Sequence, residues 1–272
     1  MKVAAIQMVS SSSVRANMEA ARTLLSQAAS EGAELAVLPE YFCLLGFKDT
    51  DKLHIAEKPG RGLLQDFLSR CASDLKLWIV GGTVPLATGP ADEAVARVFN
   101  STLVYSPTGQ CVARYDKMHL FRFDNGHESY DETRVLQPGS QPVTFDLPSH
   151  DGHIWRLGLS ICYDLRFPEL YRLLKADLLL VPSAFTFTTG QAHWEVLLRA
   201  RAIENIAYVI AAAQGGLHDN QRKTWGHSMV VDPWGQVLDQ RSEGAGVVMA
   251  DVYKAHLDLQ RLRLPALTHT AL

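Results

Sequence analysis

Two periods of apolar residues alternate along this chain. Residues 3–8, Val-Ala-Ala-Ile-Gln-Met, are almost continuously apolar, the pattern of a strand buried on both faces. After a polar connector at 10–13, Val14, Met18, Ala21, Leu25 and Ala28 recur at helical spacing, and Gly32 supplies a stop. Residues 35–38 form a second short apolar run, closed by Pro39 and Glu40. Leu63, Leu64, Phe67, Leu68 and Cys71 mark a second amphipathic helix, and residues 78–81 a third strand. Residues 99–105 and 111–115 flank Ser106-Pro107-Thr108-Gly109, a turn by composition.

The same order of elements returns in the second half. Residues 155–161 predict a strand leading to Cys162. A helix starts near Pro168, a favoured first-turn residue, and runs to about Lys175. Residues 178–181 predict a strand, 193–206 a helix and 208–213 another strand. Residues 228–231 and 236–239 flank the turn Asp232-Pro233-Trp234-Gly235, and 246–252 form a further strand. The repeat lies in the order of elements and not in the letters.

Strands that are apolar on both faces need cover on both, and helices with one apolar face supply it from outside. The predicted fold is therefore α/β: a four-layer α-β-β-α sandwich, two mixed sheets packed face to face with helices on both outer sides. No Pro/Ser-rich linker interrupts it, so residues 1–252 read as one domain and 253–272 as a C-terminal helix and tail, packing on the domain or on a partner subunit. Residues 120–142 are the longest stretch without clear periodicity, and loops of that length are usually functional.

Composition narrows the chemistry. A net charge of −3 gives no reason to expect nucleic acid or an anionic membrane as partner. No apolar stretch is long enough to predict a membrane span. The four cysteines, Cys43, Cys71, Cys111 and Cys162, include no C-x-x-C pair, which argues for a reduced, cytoplasmic protein. The ten histidines form no His-Glu-x-x-His motif and no Cys/His quartet with zinc spacing, so no metal site is expected. Phosphate-loop glycine patterns are absent. Ser160 sits in Gly-Leu-Ser-Ile-Cys and not in a G-x-S-x-G elbow, which argues against a serine hydrolase.

Three polar residues follow predicted strands: Glu40, Lys117 and Cys162. In α/β sheets the carboxyl ends of strands open into ligand crevices. Singly, each has a plainer reading: a small buried hydrophobe for Cys162, a charge beside a helix start for Glu40, a solvated lysine for Lys117. Their surroundings are more specific. Gly158-Leu159-Ser160-Ile161-Cys162-Tyr163-Asp164-Leu165-Arg166-Phe167-Pro168-Glu169-Leu170 resembles the nucleophile segment of the nitrilase superfamily. Leu38-Pro39-Glu40 resembles its general-base segment and Asp116-Lys117-Met118-His119-Leu120-Phe121 its lysine segment, all in the family's order. The likeness runs on through Val181-Pro182-Ser183-Ala184-Phe185, His193-Trp194-Glu195, residues 199–205 and residues 226–235.

The resemblance implies a Glu40–Lys117–Cys162 triad. A thiol with a reference pKa of about 8.5 is only a few per cent thiolate at neutral pH and needs a base or a positive neighbour. In the implied chemistry Glu40 takes the thiol proton, Lys117 holds positive charge beside the tetrahedral intermediate, and the Tyr163 N–H completes an oxyanion hole. An amide carbon is attacked, ammonia leaves, and a thioester on Cys162 is hydrolysed, with no cofactor required. An accessory glutamate usual in the superfamily fits Glu132, in Tyr130-Asp131-Glu132-Thr133, with Glu128 as the alternative.

Arg166, four residues after Cys162, either clamps a substrate carboxylate or pairs with Asp164 or Glu169. Thr188 and Thr189 either donate hydroxyls to the substrate or cap the following helix. Within the superfamily, the chain resembles the amidases acting on deaminated glutathione more than the omega-amidases acting on alpha-ketoglutaramate. N-carbamoyl amino acid hydrolases and nitrilases are further chemical alternatives, and a catalytically silent interaction scaffold is a different class. The resemblance also implies a homodimer, through the 191–206 helix and the segment after Val252.

Overall fold

The computed structural model describes residues 1–89 and 97–269. The first half runs β1 (Lys2–Gln7), α1 (Val14–Ser30), β2 (Leu35–Val37), a short α2 (Asp51–His54), α3 (Leu63–Leu75), β3 (Trp78–Val80), β4 (Val84–Ala87), β5 (Val98–Tyr105) and β6 (Cys111–Asp116). A separate hairpin follows, β7 (Arg122–Asp124) with β8 (Ser129–Asp131), and then a 3-10 turn at Glu132–Arg134. The second half runs β9 (Thr144–Pro148), β10 (Ile154–Leu159), a 3-10 turn at Cys162–Arg166, α4 (Pro168–Leu174), β11 (Leu178–Leu180), α5 (Phe187–Asn205) and β12 (Tyr208–Ala211). A small antiparallel pair, β13 (Gly215–Leu217) and β14 (Lys223–Trp225), precedes β15 (Ser228–Val231), β16 (Val237–Arg241), β17 (Gly246–Asp251) and α6 (Lys254–Arg263).

One sheet has the order β17-β1-β2-β3-β5-β4, with β6 also on β5; the other has the order β16-β15-β12-β11-β10-β9. In each, three strands run parallel, β1-β2-β3 and β10-β11-β12, and antiparallel strands complete the edges. The last strand crosses back: β17 pairs antiparallel with all of β1, from Lys2 opposite Asp251 to Gln7 opposite Gly246.

Strand parity shows the layers. Val3, Ala5, Leu35, Val37 and Val80 of the first sheet belong to one apolar cluster with the strands of the second sheet. Their neighbours Ala4, Ile6, Ala36 and Ile79 turn the other way, onto Ala21, Leu25 and Ala28 of α1 and Leu64, Phe67 and Leu68 of α3. Helices α4 and α5 cover the second sheet, where Trp155 and Trp194 are fully buried. The expected sandwich of two mixed sheets between helix layers is therefore the observed one.

The pattern reading missed β4, β9, β13, β14 and the β7–β8 hairpin, which are three to five residues long. That is too short for a period to register. α5 begins at Phe187 and not at His193, because Thr186 caps it by accepting a hydrogen bond from the Thr189 N–H. Gly190 reads as a breaker in sequence. In the fold it lets the first turn lie flat on Trp225, whose Cβ would be 2.2 Å from any Cβ at 190.

Helix α6 is fastened to the second sheet by one carboxylate. Asp177 accepts from Lys254 Nζ and Arg261 Nη1, each at 2.7 Å, and from the Arg156 N–H. Residues 270–272 of the predicted tail lie outside the described residues. Burial raises the Asp177 pKa, but the Lys254 and Arg156 hydrogen bonds and the two cations outweigh it and hold it below its ordinary value of 3.8. A depressed carboxylate pKa stabilises the fold at neutral pH and ceases to do so as pH falls through it. Asp177→Asn is expected to cost about 1.5–3 kcal/mol in urea unfolding at pH 7. The deficit should shrink below pH 4; a pH-independent deficit would mean that charge plays no part.

Candidate active site

Three strand ends deliver the chemistry. Past β2, the Leu38 N–H still bonds to Val80 O, and the chain then turns so sharply that Tyr41 has φ +57°. The turn is possible because residue 82 is glycine: a Cβ there would lie 2.1 Å from Pro39 O. The Gln214 side chain donates to Glu40 O at 3.1 Å and pins the backbone from the opposite sheet. Past β6, the Lys117 N–H bonds to Asn100 O and the Lys117 carbonyl accepts from Gly139 N–H. Past β10, Cys162 adopts φ +49° at the start of its 3-10 turn, while its N–H bonds to Pro182 O at 2.9 Å. Left-handed backbone at two non-glycine residues in one site is strain held by its surroundings.

Asp164 joins the lysine segment to the nucleophile segment. It is fully buried and accepts from Tyr115 Oη at 2.7 Å, the His119 N–H at 3.0 Å and the Ile161 N–H at 2.9 Å. His119 Nδ1 also lies 2.7 Å from it, and the His119 ring stacks on Phe167 at 3.6 Å. One carboxylate thus fixes the position of Lys117 relative to Cys162 through the residues that flank them.

Lys117 Nζ lies between two carboxylates, at 2.9 Å from Glu40 Oε1 and at 3.0 and 2.8 Å from the two oxygens of Glu132. An ammonium has three protons; Glu40 engages one, and the two oxygens of Glu132 can share a second. Glu40 Oε1 also accepts from Asn100 Nδ2 at 2.8 Å, and Oε2 accepts from the Ala184 N–H at 3.0 Å. A carboxylate offers about four acceptor positions. That leaves one free, and Glu40 is near enough to the Cys162 thiol to oppose its ionisation. Glu132 is held in turn by Tyr41 Oη and the Phe121 N–H, both at 2.7 Å.

Glu40 and Lys117 are each 1% exposed, so their pKa values are set by one another. Burial raises Glu40 above its ordinary 4.5, more than Lys117 lowers it. Burial pulls Lys117 down, but Glu132 and Glu40 hold it well above its ordinary value. Burial also raises Glu132, yet Lys117 and Lys52 bring it below the usual range. Burial and the charge of Glu40 push the Cys162 thiol well up, against the pull of Lys117. Cys162 therefore rests as a neutral thiol beside a carboxylate whose pKa burial has raised.

A cavity of about 370 Å³, its open mouth included, has Glu40, Glu132 and Cys162 in its wall, and Tyr163, Arg166 and Thr189 border it too. Glu128 lies away from the ammonium and accepts from Thr188 Oγ1 at 3.2 Å. That contact corrects the expectation for Thr188: adjacent residues on a helix point in different directions, so Thr189 borders the cavity and Thr188 does not. Neither caps α5, which Thr186 does. Arg166 pairs with neither Asp164, whose oxygens are taken, nor Glu169; both its Nη atoms lie 3.3 Å from His193 Nδ1. Sequence reasoning missed Tyr41, Asn100, Lys52 and Arg222. Only Asn100 carried a signal, as an amide inside a predicted strand.

Known proteins resemble this chain over nearly its whole length. The family model described as carbon-nitrogen hydrolase matches residues 2–262. A deaminated glutathione amidase of Synechocystis is 40% identical over 98% of this chain and 96% of its own. The Caenorhabditis elegans NitFhit protein superposes with a TM-score of 0.87 at 36% identity over 99% of this chain, which spans 65% of that structure. A Saccharomyces cerevisiae member of branch 10 of the nitrilase superfamily superposes with a TM-score of 0.84 at 29% identity, over 97% of this chain and 94% of that one. With the match spanning nearly every residue, the chain belongs to the carbon–nitrogen hydrolase family, in the nitrilase superfamily.

Proposed function

We propose that this protein is an amidase whose nucleophile is Cys162 and whose substrate is deaminated glutathione. The observation that carries the catalytic part is the single ammonium of Lys117 shared by Glu40 and Glu132, with the Cys162 thiol near Glu40. Because the thiol rests neutral, Glu40 takes its proton as sulfur attacks the amide carbon. The oxygen that gains charge meets Lys117 and the Tyr163 N–H, which lies in the first turn of its 3-10 helix, where amides have no intrahelical acceptor. Glu40 then passes its proton to the departing nitrogen, the C–N bond breaks and an acyl thioester remains. Water enters, Glu40 takes one of its protons, and the thiol is released with a carboxylic acid. Glu132, Tyr41 and Asn100 act as positioning residues for Lys117 and Glu40.

The substrate reading rests on the relatives' names and on the cavity's chemistry. Deaminated glutathione joins an alpha-keto acid to cysteinylglycine through a secondary amide. Its leaving group is therefore an amine, and the expectation of ammonia release holds only for primary amides such as alpha-ketoglutaramate. Arg166 and Thr189 are the residues we assign to the substrate. We assign the activity to one domain of residues 1–252, place it in the cytoplasm, and take 253–272 as the segment that packs on it or on a second copy.

We also propose a homodimer. The outer side of α5 and its surroundings expose Val196 (70%), Trp234 (61%) and Leu262 (78%). They lie on neighbouring elements: the Asp232–Gly235 turn touches Ile203 of α5, and α6 is bonded through Arg261 to Ile206 O. An isologous contact of standard size, about 1,600 Å² in total, would cover such a face.

Cys162→Ala should lower kcat/KM for deaminated glutathione by at least about a thousandfold while the circular dichroism spectrum persists. Turnover retained in that variant ends the catalytic proposal. Assays with alpha-ketoglutaramate, a carbamoyl amino acid and a simple nitrile rank the other family chemistries. The acid limb of kcat/KM against pH should lie above 4.5, since activity needs ionised Glu40 and burial raises its pKa. Glu40→Gln should abolish that limb together with most of the rate. Light scattering should show a dimer at micromolar concentration and a monomer for Val196→Arg with Leu262→Glu; a native monomer excludes the pairing.

A further inference from the structure

Beside Cys162 the carboxylates Glu40 and Glu132 share the ammonium of Lys117, and Lys52, whose Nζ lies over the Tyr41 ring at 4.7 Å, is a second lysine near Glu132. Two further cations border the same cavity, Arg166 and Arg222. Neither makes an ion pair within 4.0 Å among the described residues. Arg166 meets only a histidine nitrogen and the rings of Tyr163 and Phe185. Arg222 lies over the ring of Tyr130 at 5.0 Å. The cavity therefore carries two guanidinium groups without counter-ions, which matches a ligand with two carboxylates.

The two arginines are set at different places. Arg166 is on the same 3-10 turn as Cys162, so it serves the acyl part that becomes attached to the sulfur. Arg222 comes from the loop between β13 and β14, and Tyr130 from the β7–β8 hairpin, both outside the two large sheets. The backbone under Arg222 is held tightly. Its N–H donates to Asn220 Oδ1 at 3.0 Å, and its carbonyl accepts from the His218 N–H at 2.9 Å. Asn220 Nδ2 donates in turn to Leu45 O at 3.1 Å and Gly46 O at 2.7 Å, fixing the loop to the segment that follows Glu40. A rigid backbone and an uncommitted guanidinium form a preorganised anion site.

We propose that Arg222, steadied by Tyr130, is a specificity-determining residue that binds the carboxylate on the leaving amine, while Arg166 binds the carboxylate on the acyl part. This rests on the substrate reading above and adds to it a reason for choosing between substrates. Deaminated glutathione has a carboxylate on each side of the scissile bond; alpha-ketoglutaramate has only the one on the acyl side.

The test pairs deaminated glutathione with its analogue in which the glycine carboxylate is a neutral amide. In the native enzyme the neutral analogue should have a kcat/KM lower by about 10- to 100-fold, the usual span for a charged hydrogen bond. In Arg222→Gln, confirmed as folded by circular dichroism, that ratio should collapse towards one, with most of the change in KM. Arg166→Gln should instead slow both compounds alike and preserve the ratio. A native enzyme that hydrolyses deaminated glutathione but does not distinguish the two compounds overturns the Arg222 assignment. So does an Arg222→Gln variant that keeps the native ratio. A native enzyme that hydrolyses neither compound, with alpha-ketoglutaramate or a carbamoyl amino acid turned over instead, removes the substrate reading and this assignment with it.

Discussion

A lysine ammonium removed from water between two carboxylates is the constraint around which this molecule is arranged. Each of the three ions would be costly to bury alone, and only close pairing with further hydrogen bonds makes their burial tolerable. The partners of that pairing come from distant parts of the chain: Glu40 after β2, Lys117 after β6, Glu132 after the β7–β8 hairpin. The cluster can form only when the first sheet, the hairpin and the second sheet's loops are all in place. The amide of Ala184 and the side chain of Gln214, both from the second half, complete the hold on Glu40.

The same cluster sets the chemistry. Two carboxylates around one ammonium keep Lys117 protonated, while burial raises the pKa of Glu40 and of the neighbouring Cys162 thiol. A thiol already ionised would bring Glu40 no proton to pass to the departing amine. A neutral thiol beside a base supplies that proton within the site, as general acid–base catalysis requires. Strained backbone at Tyr41 and Cys162 lies on the two segments that must face each other, and Asp164 and Gly82 hold those segments where they are.

The two-sheet frame contributes rigidity and the surrounding small elements contribute selectivity. Glu40 and Cys162 follow strands of the large sheets, whose inner faces share one continuous apolar core. Tyr130 and Arg222 come from short hairpins, Arg166 from the end of the 3-10 turn that Cys162 opens, and Thr189 from the first turn of α5. Loops and hairpins can change without disturbing the frame. A family with one nucleophile can thus serve many amides.

Much of the frame was legible in the letters. Apolar runs at residues 35–38 and 178–181, and one at 3–8 broken only by Gln7, separated by amphipathic helices, implied strands buried on both faces and hence sheets covered by helices. The strings around Glu40, Lys117 and Cys162 pointed to the groups that the fold brings together and that we propose react. The resemblance favoured Glu132 with Glu128 as the alternative, and the tertiary structure brings Glu132 to the ammonium while Glu128 meets Thr188. Tertiary structure alone decided that Thr186 caps α5, that Asp164 bridges two segments, and that Arg166 and Arg222 share a cavity. Local pattern reports which face of an element is apolar. It does not report which distant side chain will arrive opposite a given atom, since that depends on how whole layers pack.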